Sequence, residues 1–343
     1  MDRIEFLRKN IGDKRAAVIV SKANIFYYSG FTSEDATVII TPSRQILITD
    51  SRYTVQAKNQ AADFEIFDIK DTVLFDEETV LIEEEYMTAG RLKRLSKKYP
   101  DKEFIRGDEE LNKARRIKSA EETELIRTAE SIGDMAFSHI LNFISAGMSE
   151  KEVALELEYF MKKNGAQDLS FEIIAASGVR SAMPHGTASD KIIEHGDFLT
   201  LDFGCIYKGY CSDMTRTIVV GTASSRQREI YNIVLEAQTA AINAVCAGKK
   251  CSEIDAVARD IIKNYGFGEY FGHGLGHSVG VEIHELPSFS PKSPDITEAG
   301  QIITVEPGIY IENFGGVRIE DLIVVADKNA VNLTNSPKEL IEI

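Results

Sequence analysis

The sequence predicts an α+β protein of two domains that divide near residue 116. Three observations predict it. Four helices in the second part are expected, three of them opening on capping signals; the strand-like runs there fall in blocks between those helices; and a basic interruption from Lys113 to Lys118 sets that part off from an amino-terminal α/β stretch. The domains are therefore placed at 1–115 and 116–343. At 343 residues, 43% of them hydrophobic, the chain has enough bulk for a substantial core.

In the first domain, residues 16–20, 36–41 and 45–49 are apolar runs bounded by turn residues, and Pro42-Ser43-Arg44 turns the second into the third. Helical patterns follow Ser51 and Asp76. Asp50, Arg52 and Tyr53 stand at a strand-to-helix junction, where capping and packing are the ordinary uses of such residues. In the second domain, Ser119 and Glu122 form a capping box ahead of apolar positions 125, 126, 129, 132, 136 and 140, which recur at helical spacing. Ser149 with Glu152 opens a second helix, stopped at Asn164-Gly165. Ser224 with Gln227 opens a third, ending near Gly248, and a fourth runs from Glu253 to Tyr265. Strands are expected at 171–175, 197–205, 210–220, 301–306 and 316–326.

A formal charge of −15 argues against nucleic acid or an anionic membrane as the main partner, because phosphate binding needs clustered Lys and Arg. No apolar run reaches the ~20 residues of a membrane span, and the start, MDRIEFLRKNIGDK, carries no signal-peptide core, so a cytoplasmic protein is expected. The four cysteines, 205, 211, 246 and 251, form no CxxC pattern and are expected as free thiols. A ligand role for Cys205 or Cys211 is conceivable, but small buried hydrophobes are the simpler reading.

Chemistry first surfaces in FLTLDFGCIYKGYCSDMTRT, residues 198–217, where Asp202 and Asp213 interrupt two strand-like runs joined by Tyr207-Lys208-Gly209-Tyr210. In a hairpin with a two-residue loop, positions an odd number apart share a face, and 213 − 202 = 11. The two carboxylates then emerge side by side, opposite or diagonal. Exposed aspartates on a hairpin's polar face would satisfy this pattern; a buried pair would need a cation or a shared proton. Three of the six histidines, His273, His277 and His284, fall within twelve positions, flanked by glycines at 272, 274, 276 and 280. A lone histidine is an ordinary core or surface residue, but this cluster weakens that explanation. Glu306 in IITVEPGIY and Glu320 in GVRIEDLIVV sit in apolar runs where an acid needs a partner. A buried Arg318–Glu320 pair would explain one of them but not four acids. Four carboxylates and an imidazole suit the mixed oxygen and nitrogen ligand set of two divalent ions.

The order Asp202, Asp213, His277, Glu306, Glu320, set in LDFG, SDMTRT, GHGLGH, HELP, VEPGIY and VRIED, resembles the pita-bread metallopeptidases of family M24. Within that family the chain is similar to bacterial Xaa-Pro aminopeptidases and Xaa-Pro dipeptidases (prolidases). GFTSEDATVIITP and ITDSRYTVQA resemble their creatinase-type amino-terminal domain, so the likeness spans nearly the whole chain. The resemblance implies that Asp202 chelates one metal, that Asp213 and Glu320 bridge both, and that His277 and Glu306 bind the other. It implies two divalent ions per chain, Mn by preference, with Co or Zn suited to the same ligands. It gives His185 and His284 catalytic roles as hydrogen-bond donors to the substrate, Glu306 a second role as proton shuttle, and His273 and Arg318 roles in substrate binding. The arginine could instead clamp a free carboxylate, as a dipeptidase would want. His139 and His195 match nothing. The activity implied first is that of an Xaa-Pro aminopeptidase acting on peptides with proline at the second position. The alternatives are a prolidase restricted to dipeptides, a methionine aminopeptidase, a metal-free creatinase-like hydrolase and, more remotely, a non-catalytic binding module. A homodimer is the assembly the resemblance implies.

Overall fold

The computed structural model of the protein describes residues 2–343, in two compact units that part between Arg115 and Arg116. The first unit is a six-stranded mixed sheet with helices. Strands β1 (Arg15–Ile19), β2 (Ala36–Ile40), β3 (Gln45–Thr49), β4 (Glu65–Asp68), β5 (Thr79–Ile82) and β6 (Glu103–Arg106) pair in the order β4-β3-β2-β1-β5-β6. The helices are α1 (Arg3–Ile11), α2 (Lys22–Ser29), α3 (Thr54–Gln60), α4 (Ala89–Lys98) and α5 (Asp108–Asn112). The helix expected directly after Asp76 is instead β5, and α4 begins only at Ala89. Val80, Leu81 and Ile82 are buried between β1 and β6 in parallel pairing, so burial on both faces overrides the helix propensity of the flanking glutamates.

The second unit opens with α6 (Ala120–Ile140) and α7 (Glu150–Lys163), each with a complete capping box at the serine and glutamate named above. Then come β7 (Asp168–Leu169), β8 (Ile174–Ser177), β9 (Phe198–Phe203), β10 (Cys205–Tyr207), β11 (Tyr210–Cys211) and β12 (Met214–Val219). Helices α8 (Ser225–Ala244) and α9 (Cys251–Asn264) follow, and then β13 (Gly276–Ser278), β14 (Glu285–Phe289), β15 (Ile302–Val305), β16 (Gly308–Ile311), β17 (Gly315–Arg318), β18 (Asp321–Val324) and β19 (Val331–Asn332). They form sheets ordered β12-β9-β8, β11-β10-β7, β14-β13-β15-β18-β19 and β16-β17.

Leu199, Leu201 and Phe203 of β9, with Met214 and Ile218 of β12, share a core with Ala129, Ile132 and Ala136 of α6 and Leu157 of α7. A second core joins Ile230, Val234 and Ala237 of α8 to Val305, Ile309, Val317 and Ile323. Because side chains alternate along a strand, committing the odd positions of β9 to the α6–α7 core turns Thr200 and Asp202 to its other face. The single strand expected over 316–326 is broken. Residues through Arg318 pair with β16, residues from Asp321 pair with β15, and Ile319-Glu320 carries the chain from one sheet to the other.

All four cysteines are free thiols, and burial pushes the thiols of Cys205 and Cys211 up to about 12. Thiols held in the protonated form at neutral pH are poor metal ligands and nucleophiles. Among the described residues, no helix is long and apolar enough to cross a membrane.

Candidate active site

The β9–β12 ladder fixes the first two acids. Asp202 pairs with Thr215, and Phe203↔Met214 and Ile206↔Cys211 keep one register, so Asp213 falls opposite Gly204, diagonal to Asp202 and on the same face. The turn is two residues long, with Lys208 at φ 47° and Gly209 at φ 83°, the positive pair that a tight hairpin turn requires. Gly204 is needed for a different reason: a Cβ there would lie 1.9 Å from the Ser212 carbonyl oxygen. Gly276, just before His277, is under the same constraint, with the Thr304 carbonyl 1.9 Å from where its Cβ would sit. Both glycines let neighbouring backbone close up beside a polar residue of the site.

Glu320 is set by the strand break. Its N–H donates to the Thr215 carbonyl at 3.1 Å, and the Thr215 hydroxyl donates to its carboxylate at 2.7 Å. Arg216, almost wholly buried, pairs with Asp321 at 2.7 Å and also donates to the Glu320 carbonyl, tying β12 to the chain around the break. His185, Asp202, Asp213, His273, His277, His284, Glu306, Arg318 and Glu320 all line one cavity of about 430 Å³. His139 and His195 lie elsewhere; the first is 2.6 Å from Glu156 and stacks on Phe160.

Within the cavity, atoms of Asp213, His277 and Glu320 lie within 4.8 Å of one another, close enough to share an ion. His277 Nε2 stands 3.4 Å from Asp213 and 3.4 Å from Glu306. Its Nδ1 is 3.2 Å from the Ser278 carbonyl, which can only accept, so Nδ1 carries the proton and the Nε2 lone pair faces the acids. Burial first, and His284 second, hold His277 down at about 4, neutral at physiological pH.

The carboxylates are not at ease together. Burial, then the charges of Glu320, Asp202 and Glu306, push Asp213 well above the usual carboxylate range. Glu320 is raised by burial and by Glu306 and Asp202. Glu306 is pushed up to about 8 by burial, against the opposing pull of Arg318. Asp202 Oδ1 is buried with no hydrogen-bond partner. Arg318 is the one permanently charged cation among the lining residues, and it pairs with Asp202, not with Glu320. An orphaned carboxylate oxygen, three strained acids and an imidazole lone pair fit divalent cations, whose charge would restore the anionic forms.

Sequence reasoning passed over Tyr310, Thr215 and Glu130. The β16–β17 hairpin pairs Gly308 with Arg318 and Tyr310 with Gly316, which puts Tyr310 and Arg318 on one face. Arg318 Nη1 donates to the Tyr310 hydroxyl at 2.9 Å, and that hydroxyl lies 2.9 Å from His273 Nε2. His273 Nδ1 donates to the Gly274 carbonyl at 2.7 Å, so Nε2 accepts from Tyr310. Burial, then Arg318, brings His273 down to about 4. Glu130 of α6 is wholly buried behind Asp213, whose N–H donates to it at 3.3 Å. Tyr310 was legible as part of VEPGIY and Thr215 as part of SDMTRT; Glu130 had no local signal.

A model described as metallopeptidase family M24 matches residues 124–327, and one described as creatinase/prolidase N-terminal domain matches residues 3–117. A solved structure of an Xaa-Pro dipeptidase from Bacillus anthracis has a TM-score of 0.95 and 45% identity, covering 100% of this chain and 99% of that one. The Xaa-Pro dipeptidase of Pyrococcus furiosus is 41% identical over 343 residues, 98% of each chain. An X-Pro aminopeptidase structure from Thermotoga maritima follows at TM-score 0.90 and 38% identity, covering 98% of this chain and 99% of its own.

Proposed function

The chain belongs to metallopeptidase family M24, with a creatinase-type amino-terminal domain and a pita-bread catalytic domain, and from that premise we propose that it is an Xaa-Pro dipeptidase using two divalent metal ions. The observation that carries the reading is the convergence of Asp202, Asp213, Glu306 and Glu320 with the neutral imidazole of His277 on one cavity whose lining has a single guanidinium. The sequence reading put the aminopeptidase first. The relatives favour the dipeptidase, since proteins of that name are 41% and 45% identical over essentially the whole chain. The Thermotoga maritima structure keeps the aminopeptidase as the second reading.

Asp202, Asp213, His277, Glu306 and Glu320 would hold the ions, with Asp213 and Glu320 shared between them and Mn the preferred metal. Ions bound there supply Lewis-acid polarisation of the scissile carbonyl and lower the pKa of water. The chain's own residues do the rest. Glu306, whose carboxylate accepts from the Thr304 hydroxyl at 3.2 Å, takes a proton from the attacking water and returns it to the leaving nitrogen. His284 is held below its ordinary value by burial and by His185, so it is neutral and donates a hydrogen bond to the developing oxyanion without bringing a charge. His185, which also lines the cavity, is the second donor to the substrate. Arg318 spends four of its five N–H donors on Thr215, the Pro184 carbonyl, Tyr310 and Asp202, which leaves one for a substrate carboxylate. His273, oriented by Tyr310, lines the place of the proline ring.

The test is kcat/KM with Mn for Ala-Pro, Ala-Pro-Ala and a five-residue Xaa-Pro peptide. Turnover concentrated on Ala-Pro is expected. Comparable rates on the longer peptides would instead favour the aminopeptidase, comparable rates on Ala-Ala-Ala would remove proline specificity, and no turnover at all would favour a binding module.

A further inference from the structure

Glu150 opens α7 directly after the capping Ser149, and its side chain is fully buried although it does not line the cavity. One carboxylate oxygen accepts from the Ser177 N–H at 2.7 Å and from the Ser177 hydroxyl at 2.9 Å. The other accepts from the Ser189 N–H at 3.0 Å and from the Ser189 hydroxyl at 2.6 Å. Arg180 Nε donates to the same carboxylate at 3.0 Å, and Nη2 of that guanidinium donates to the Thr187 carbonyl at 2.7 Å. The backbone repeats the connection, with the Lys151 N–H donating to the Ser189 carbonyl at 3.1 Å.

A buried charge must be satisfied wherever it stands, so a purely structural hub is the first explanation to weigh. The origin of the donors argues for more. Every side-chain hydrogen bond given to Glu150 among the described residues comes from one segment, 177–189, and from both of its ends. That segment carries His185. The His185 ring reaches the cavity but has no hydrogen-bond partner among the described residues, so its place is set by the loop backbone. Near the tip, Arg318 holds the Pro184 carbonyl at 3.2 Å, and the Gly186 and Thr187 N–H groups bond back to Met183 and His185. The tip is therefore fixed to the cavity wall; at the base, Ser177 ends β8 beside Leu199 of β9, and the Glu150 carboxylate ties that end to Arg180 and Ser189.

We propose that Glu150 is a positioning residue, which sets the place of the His185 imidazole by fastening both ends of the loop that carries it. Its bearing on catalysis rests on the reading of His185 as a donor to the substrate; the fastening itself does not. Replacing the carboxylate by an amide puts an N–H₂ where donors of Ser177, or of Ser189 and Arg180, now point, so the tie between the two ends of the loop is weakened. A displacement of about 1 Å at a positioned group can cost roughly 10²-fold in rate.

The experiment is a double-mutant cycle with Glu150→Gln and His185→Ala, read as kcat, KM and metal content on Ala-Pro with Mn, together with hydrogen exchange on the metal-loaded proteins. Glu150→Gln alone is expected to lower kcat by up to roughly 10²-fold, with KM and metal content near wild type. In the His185→Ala background it should cost little more, because the group it positions is already gone. Equal losses in both backgrounds would overturn the proposal. Should Glu150→Gln not fold, Ser189→Ala removes one hydroxyl donor and runs through the same cycle. Exchange answers without activity: amides of 178–190 should exchange faster in Glu150→Gln while those of 277–284 keep their protection. Unchanged exchange in 178–190 would refute the fastening. If the wild-type protein cleaves no Xaa-Pro peptide, the dipeptidase reading fails while the exchange result still decides whether Glu150 holds the loop.

Discussion

Glu83 of the first unit and the cavity acids of the second are buried carboxylates held in opposite ways. In the first unit, Glu83 is almost wholly buried and its two oxygens accept from the Val20 and Ser21 N–H groups, the Ser21 hydroxyl and the Asn24 amide, the last at 2.7 Å. No oxygen is left over, and the charge knits β5 to the turn after β1. In the cavity of the second unit, Asp202 has an orphaned oxygen and Asp213, Glu306 and Glu320 are all pushed towards protonation. A carboxylate that the fold satisfies holds parts of the fold in place. Carboxylates that the fold crowds together and leaves short of donors are held for something that arrives from outside.

The comparison predicts a hierarchy of effects. Asp213→Ala or Glu320→Ala should cost the most, losing metal from both positions and lowering kcat/KM by more than the roughly 100-fold typical of an outer-shell partner. Metal analysis beside activity checks this; either variant keeping two bound ions and full activity would break the contrast. His185→Ala and His284→Ala should come next, lowering kcat by ~10²–10³-fold with metal content near wild type. Equal metal loss in these and in His277→Ala would collapse the division between ligands and donors. Tyr310→Phe, which unhooks His273 from Arg318, should cost roughly 10-fold, at the lower end for an outer-shell partner. On the other side of the comparison, Glu83→Gln should lower stability by about 1–3 kcal/mol, by chemical unfolding, and leave kcat/KM unchanged.

The smallest effect is one of pH. In metal-free protein Glu306 and Glu130 titrate near 8 when folded and near the ordinary carboxylate value when unfolded, so the folded state binds more protons between those limits. Their contribution is fully present below the unfolded value and is lost as pH rises through about 8. His273 and His277 act in the opposite sense, since both are lowered to about 4, and their stabilisation is lost as pH falls from 6.5 through 4. Above 6.5 the acids act alone, and metal-free protein should become less stable towards pH 8. Bound metal should flatten that slope, because it fixes the carboxylates as anions. Thermal unfolding at pH 6.5 and 8, with and without Mn, reads it; a rising slope without metal would contradict the crowding.

What the sequence revealed follows the range of the interaction. Capping boxes at Ser119, Ser149 and Ser224 are local signals, and all three open helices where expected. Asp202 and Asp213 share a face by parity alone, because a two-residue turn fixes the register. Strand β5 was read as helix because its pairing with β1 and β6 is non-local while its acidic flanks are close by. The break at Ile319-Glu320 was hidden because an apolar run looks continuous even where it changes sheets. Thr215 meets Glu320 across 105 positions, and Glu130 meets Asp213 across 83, distances over which no spacing rule operates.

If the crowded carboxylates form a divalent metal site serving cleavage before proline, metal and activity must return together. Calorimetric titration of chelated protein with Mn, with Ala-Pro hydrolysis followed on the same samples, tests it most directly. Two ions should bind per chain, and hydrolysis should return as they bind. Protein that binds no divalent ion in the cavity, or that hydrolyses Ala-Pro equally well after chelation, would contradict it.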